Sequence, residues 1–277
     1  MARYGKYYDD FFHRYKDLLL IYGALFLPPM VSNPEAIAPG LWKFDSGKYD
    51  SQIFQYRFAQ FLQRPFQERL RFTQKAFDNT YDGYSYPRQK DSYNQGDLDE
   101  LHSFVVTPIA KKRVLPEEMN FLKLPFWQTL HTTVQDIEQN LVNLLEVDVT
   151  GSLLPMLSCN YYPAKNKKWP GLEAHPDISL FTHFPFGSDG YTEYQLADGS
   201  WLKFPKTNQW LVFTGYFIEW LSRGRIKALN HRVGTLPAHL PRYTFAWFTI
   251  PSPQSRWEIG EKELTGTAYH QAYLDLF

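Results

Sequence analysis

The sequence predicts an α+β fold in which a jelly-roll barrel packs against N-terminal helices. Three observations support it. Bulky apolar residues recur at helical spacing before residue 150. After it, short runs of β-branched and aromatic residues alternate with turn signals. No helical pattern separates those later runs, so the strands should pair antiparallel, and closure over the helices is the simplest way to bury them.

The first helix is "SQIFQYRFAQFLQ" from Ser51, stopped by Pro65, which can itself open a second helix toward Phe77. Residues 82 to 100, "DGYSYPRQKDSYNQGDLDE", are rich in turn formers and charge and read as a surface loop. Between Pro125 and Val147, the residues Leu130, Val134, Ile137, Leu141 and Leu144 recur every three or four positions and predict a third helix with one core-facing stripe. The strands expected next are "SLFTHFPF", "YTEYQLADGSWLKF", "WLVFTGYF" and "RYTFAWFTI". Asp198-Gly199 supplies a hairpin turn, and "SRGR" at 222 to 225 a second Gly-centred reversal. With no linker or repeat evident, residues 1–277 should form a single domain: a mainly helical part (1–150), a jelly-roll core (151–253) and a C-terminal helical tail (254–277).

Composition narrows the function. With 44% hydrophobic and 18% aromatic residues there is material for a sizeable core. Lys+Arg and Asp+Glu balance at 29 each, which argues against nucleic acid or an anionic membrane and for a small-molecule ligand. The single Cys159 fits a reducing compartment and cannot build a multi-thiolate zinc site, so any metal must rest on His and carboxylate ligands. The segment "MARYGKYYDDFFHRYKD" lacks the features of a signal peptide, and the apolar run at 18–30 is too short to cross a bilayer; a cytoplasmic protein is expected. Oligomeric state is left open.

The candidate chemistry centres on "GLEAHPDISLFT". His175 and Asp177 stand two apart, and in a strand residues i and i+2 point to one side, so both could reach one metal. The pair alone is weak, because this composition yields about one His-x-Asp/Glu by chance. His231 could return from another strand as the third ligand. Two imidazoles and a carboxylate leave open positions on an octahedral ion, an arrangement that suits non-haem Fe(II). Farther on, Arg242 and Thr244 stand at i and i+2 in an apolar strand; a buried guanidinium calls for an anion, and a carboxylate matches its fork.

Together these motifs resemble the catalytic core of the isopenicillin N synthase-like superfamily of 2-oxoglutarate and Fe(II)-dependent dioxygenases. The resemblance runs from Asn160 to Pro253: "NYYP", then "HPD", then a Gly-containing hairpin leading into "HRV", then "RYT", in the family's order. It implies a double-stranded β-helix, the cupin-like jelly-roll. It also implies an iron site of His175, Asp177 and His231, and a 2-oxoglutarate site in which Arg242 and Thr244 hold the distal carboxylate with Tyr162 and Asn160 nearby. The activity implied is oxidation of a small molecule (hydroxylation, desaturation or cyclisation) using O2, with release of succinate and CO2. Two departures stand out: Pro176 removes a backbone donor between two ligands, and Thr244 replaces the commoner Ser.

Alternatives remain at this stage: an oxidase of the same superfamily that uses Fe(II) and O2 without 2-oxoglutarate, a zinc hydrolase on the same three ligands, and a non-catalytic metal-binding barrel. Phe181, Trp210, Phe213 and Trp247 could wall the site, although core packing is their default role. His183 is expected as a hydrogen-bonded barrel residue and Arg232 as a positioning residue. Cys159 is expected to be packing, and His13, His102, His131, His239 and His270 surface or capping residues.

Overall fold

The computed structural model describes residues 32–45, 51–73, 83–87, 101–107, 115–119, 125–259 and 262–276. Helix α1 (Gln52–Gln63) buries Phe54, Phe58 and Phe61 along one face. It stops where Pro65 disfavours helical backbone at Arg64, which is extended (ψ 149°). The second helix is shorter than expected: α2 (Phe66–Arg69) is one turn continued by a 3-10 turn over Leu70–Phe72, and residues 74 to 77 lie outside the described residues. Helix α3 (Pro125–Leu145) buries Leu130, Val134, Ile137 and Leu141. Leu144 is instead 57% exposed, because steps of four from Ile137 carry the stripe through Leu141 to Leu145, which packs on the core.

An eight-stranded sheet runs in the order β1 (Glu35–Ala38), β2 (Leu41–Phe44), β10 (Trp210–Thr214), β7 (Phe181–Phe184), β12 (Arg242–Pro251), β5 (Leu153–Tyr162), β4 (His102–Val106), β3 (Gly83–Ser85). A four-stranded sheet runs β6 (Trp169–His175), β11 (His231–Leu236), β8 (Thr192–Gln195), β9 (Trp201–Lys203). Pairing within both sheets is antiparallel, and the two form the jelly-roll sandwich expected from the strand pattern. Strands β1 to β4 come from before residue 150, so the large sheet extends across the boundary expected at 151. Strand β3 lies inside the tract read as a surface loop; Tyr84 is fully buried there, and residues 88–100 are outside the described set. The tail carries a hairpin, β13 (Arg256–Ile259) with β14 (Lys262–Thr265), ahead of helix α5 (Gly266–Leu274).

Two local expectations need correction. "WLVFTGYF" is a strand only to Thr214. A Cβ at Gly215 would stand 2.0 Å from the Ser179 carbonyl oxygen, so only glycine allows this close crossing, after which the chain enters helix α4 (Tyr216–Leu221). The Gly224 reversal is then a helix end and not a hairpin: its φ is +80°, and its N–H donates to the Glu219 carbonyl (2.8 Å). The Asp198-Gly199 hairpin joins β8 to β9 as expected.

The large sheet has two unlike faces. Tyr243, Phe245 and Trp247 of β12 pack against Phe58, Phe54 and His131 of α1 and α3. This outer face joins Trp210, Leu157 and Cys159 in the main core. Alternate residues point the other way, between the sheets, where two smaller clusters lie: one around Phe204, Leu211 and Phe213, the other around Tyr162, Trp169 and Val233. Among the described residues no helix is long and apolar enough to cross a membrane.

Candidate metal centre

His175 is the last residue of β6 and pairs in register with His231, the first of β11, so antiparallel pairing sets the two imidazoles side by side with ring centroids 4.6 Å apart. Asp177 comes from a different setting than expected. Strand β6 ends at His175, and Pro176, with no N–H to donate, starts an irregular segment, so the carboxylate is a loop group and not a strand neighbour. That loop is held by its backbone. The Tyr216 N–H donates to the Asp177 carbonyl (2.6 Å), and on α5 the Tyr273 and Tyr269 hydroxyls donate to the carbonyls of Pro176 (2.9 Å) and Ile178 (2.6 Å).

The three side chains converge. His175 Nε2 lies 3.6 Å from Asp177 Oδ1, and His231 Nε2 lies 3.6 Å from Asp177 Oδ2. The three ligand atoms fall within 4.8 Å of one another, the only such His/Cys/Asp/Glu group among the described residues. Each imidazole has Nδ1 against a carbonyl oxygen, His175 with Glu173 (2.8 Å) and His231 with Leu229 (3.2 Å). An Nδ1–H donated there leaves the Nε2 lone pair directed at the carboxylate, the tautomer a metal needs. Burial lowers the His231 pKa to about 4 against the opposing pull of Asp177, so the ring is neutral. Burial works against ionisation of Asp177, yet the two histidines and the Thr182 hydroxyl, donating to Oδ2 at 2.7 Å, outweigh it and hold the carboxyl below its ordinary range. The donor set of two imidazoles and one carboxylate fits a divalent transition metal such as Fe(II). From the large sheet, Phe213 meets the His231 ring edge-on at 4.8 Å.

Arg242, the first residue of β12, pairs with Tyr162 of β5 and lies over its ring (5.0 Å to the centroid). Its Nε donates to Asp189 Oδ2 (2.7 Å), and its Nη2 donates to Asp189 Oδ1 (3.2 Å) and to Thr192 Oγ1 (3.1 Å). Nη1 is buried with no hydrogen-bond partner among the described residues, as is Trp169 Nε1 against the same tyrosine ring. Two buried donors lacking acceptors around one ring suit a ligand that carries acceptor oxygens. Thr192 belongs to the small sheet, two residues along β8 from Tyr194, the register partner of His231. That offset is about 7 Å along the strand, so the guanidinium and the triad occupy adjacent layers between the sheets. Thr244 pairs with Asn160, whose Oδ1 accepts from Ser103 and Ser158 (2.8 Å each).

The remaining expectations divide. His183 is a hydrogen-bonded barrel residue, as expected. Trp210 Nε1 donates to its Nδ1 (3.1 Å), so Nε2–H donates to Glu138 of α3 (2.9 Å), on the face away from the triad. Arg232 bonds Glu193 (2.8 Å) and lies over Trp201. Burial holds the Cys159 thiol pKa well above its usual value, as suits a packing residue. Phe181, Trp210 and Trp247 are core, and of the four aromatics only Phe213 borders the triad. His239 is exposed, and His131 stacks on Trp247. His270 is not at the surface: it is fully buried, its Nε2 against the Pro251 carbonyl (2.9 Å). His102 is half-buried and bonded to the Tyr84 hydroxyl (2.7 Å), and His13 lies outside the described residues. The sequence pattern did not single out Asp189, Thr192 or Thr182. The usable signal was that a buried Arg requires an acceptor from the chain itself.

Residues 154–251 match the model of the 2OG-Fe(II) oxygenase superfamily. Arabidopsis thaliana 2-oxoglutarate-dependent dioxygenase AOP2 is 38% identical over 85 residues, which is 30% of this chain and 19% of AOP2. The chain thus spans about a fifth of the length of the curated relatives it matches. A full-length Neurospora crassa protein solved in complex with alpha-KG superposes with a TM-score of 0.63 at 16% identity, covering 83% of this chain and 85% of that one. The dioxygenase for auxin oxidation from rice gives a TM-score of 0.61 at 16% identity, covering 81% and 80%. The likeness to the 2OG-Fe(II) oxygenase superfamily thus lies in the jelly-roll region of this chain, 154–251.

Proposed function

We propose that the chain, 1–277, works as one catalytic domain: a non-haem Fe(II) and 2-oxoglutarate-dependent oxygenase that oxidises a small molecule. The observation that carries this reading is the His175, Asp177 and His231 cluster, with both Nδ1 atoms turned to carbonyls and both Nε2 atoms turned to one buried carboxylate. Fe(II) held by these three side chains, with 2-oxoglutarate and O2, supplies the oxidation of a substrate C–H bond and releases succinate and CO2. The rest is done by the chain's own residues. Thr182 and the α5 tyrosines fix the carboxylate, Arg242 receives the distal carboxylate of 2-oxoglutarate with Thr244 and Asn160 beside it, and Phe213 helps exclude water from the imidazoles. AOP2, a dioxygenase that uses 2-oxoglutarate, and the Neurospora crassa protein solved with alpha-KG support the cosubstrate.

The test is incubation of the Fe(II)-loaded protein with 2-oxoglutarate, O2 and a panel of small metabolites, scored by succinate release. Arg242→Ala should raise the 2-oxoglutarate requirement steeply while iron stays bound. Turnover without succinate would favour a second reading, an Fe(II) oxidase that uses no 2-oxoglutarate. One observation favours that reading: Arg242 already carries a carboxylate of its own, from Asp189.

A further inference from the structure

Asp189 engages Arg242 in the way an incoming carboxylate would. Its two oxygens take one edge of the guanidinium fork, at 2.7 Å and 3.2 Å, in the bidentate geometry that arginine offers to carboxylates. The pair is uneven in its surroundings: the Arg242 side chain is 6% exposed and that of Asp189 is 35% exposed. The cation is thus committed to the interior, while the anion reaches water and can be resolvated if it leaves. Asp189 Oδ1 also accepts from the Tyr191 N–H (3.1 Å), an Asx-type contact that holds the carboxylate at this position without help from the arginine. Nη1 stays buried and unpartnered among the described residues even with Asp189 in place, so the guanidinium keeps capacity for another acceptor.

From this we infer that Asp189 is an internal competitor for the cosubstrate's distal carboxylate, a positioning residue that sets how tightly 2-oxoglutarate is held. The inference rests on the reading above that Arg242 is the anchor. The dicarboxylate can meet Arg242 at Nη1 with Asp189 in place, or take over the Nε and Nη2 edge after Asp189 turns to solvent. In the first case two like charges share one cation; in the second an existing ion pair is broken. Both weaken binding relative to a chain with a neutral residue at 189. Asparagine is the informative replacement, because its amide oxygen still accepts from Arg242 and from the Tyr191 N–H while the charge is gone.

The experiment compares the parent, Asp189→Asn and Arg242→Met as full chains, anaerobically loaded with Fe(II), by calorimetric titration of 2-oxoglutarate, alongside melting temperatures with and without the ligand. Asp189→Asn is expected to bind 2-oxoglutarate about tenfold more tightly, discounted from the full Coulomb effect for the exposure of Asp189. Without ligand it should melt lower than the parent, since the buried guanidinium loses its counter-charge. In kinetics the gain should appear in the KM for 2-oxoglutarate and not in kcat. A residue that only props up the fold would lower both stability and affinity. Affinity unchanged or weakened in Asp189→Asn, with Arg242→Met losing it, would overturn the inference alone. Affinity unchanged in Arg242→Met would overturn the anchor assignment beneath it.

Discussion

The two faces of the eight-stranded sheet are built from alternate residues of the same strands, yet they are put to opposite uses. On β12, Tyr243, Phe245 and Trp247 close against α1 and α3, and the buried His183 on that side is held between Trp210 and Glu138. Arg242 and Thr244, one position away, face the small sheet, where a buried guanidinium nitrogen has no partner among the described residues and three ligand atoms crowd together. The outer face is filled by aromatic packing. The inner face gathers the cation and the metal-ligating atoms, and that is where a ligand with acceptor oxygens gains most.

This contrast can be broken from either side. The largest effect should come from Asp177→Ala: metal affinity falls by more than the roughly 100-fold typical of losing an outer partner. The metal-free melting temperature should fall only modestly, because the carboxylate that its partners favour is lost and the Thr182 hydroxyl loses its acceptor. Equilibrium metal titration and a thermal scan on the same sample read both. On the outer face the pattern reverses: Trp247→Ala should cost about 3–5 kcal/mol in urea unfolding and leave metal affinity per folded molecule unchanged. Glu138→Ala should cost about 1–3 kcal/mol, because it strands the His183 Nε2–H. Glu138→Gln should recover most of that, since its amide oxygen still accepts. The smallest effect concerns His270, whose pKa burial lowers from 6.5 to about 4. Its unfolded form takes a proton first, so its contribution is fully present above pH 6.5 and is lost as pH falls toward 4. His270→Gln, which can still donate to the Pro251 carbonyl, should flatten the stability slope in that window by at most about 1.4 kcal/mol per pH unit.

How legible this was depended on the range of the signal. Helices α1 and α3 were readable because burial at a period of about 3.6 is written locally, and the hairpin at Asp198-Gly199 likewise. Strand β3 was hidden in a polar tract because its burial comes from Phe61 and Phe104, whose rings meet or neighbour Tyr84 only after the chain folds. Strand length at "WLVFTGYF" was misjudged because the stop comes from Ser179, distant in sequence, crowding Gly215. The triad was found from residue types and motif order, but not the loop setting of Asp177, although Pro176 announced it. Asp189 was invisible because nothing local distinguishes an acid that caps a turn from one that also neutralises a buried cation 53 residues away.

The two tyrosine hydroxyls of α5 that grip the backbone on either side of Asp177 tie a site made from residues 175 to 231 to a helix that the ribosome delivers later. During synthesis the imidazoles can pair as soon as β11 has emerged, but the carboxylate between them gains its brace only once Tyr273 has left the exit tunnel. Competence for metal should therefore come last in biogenesis, after the barrel has closed.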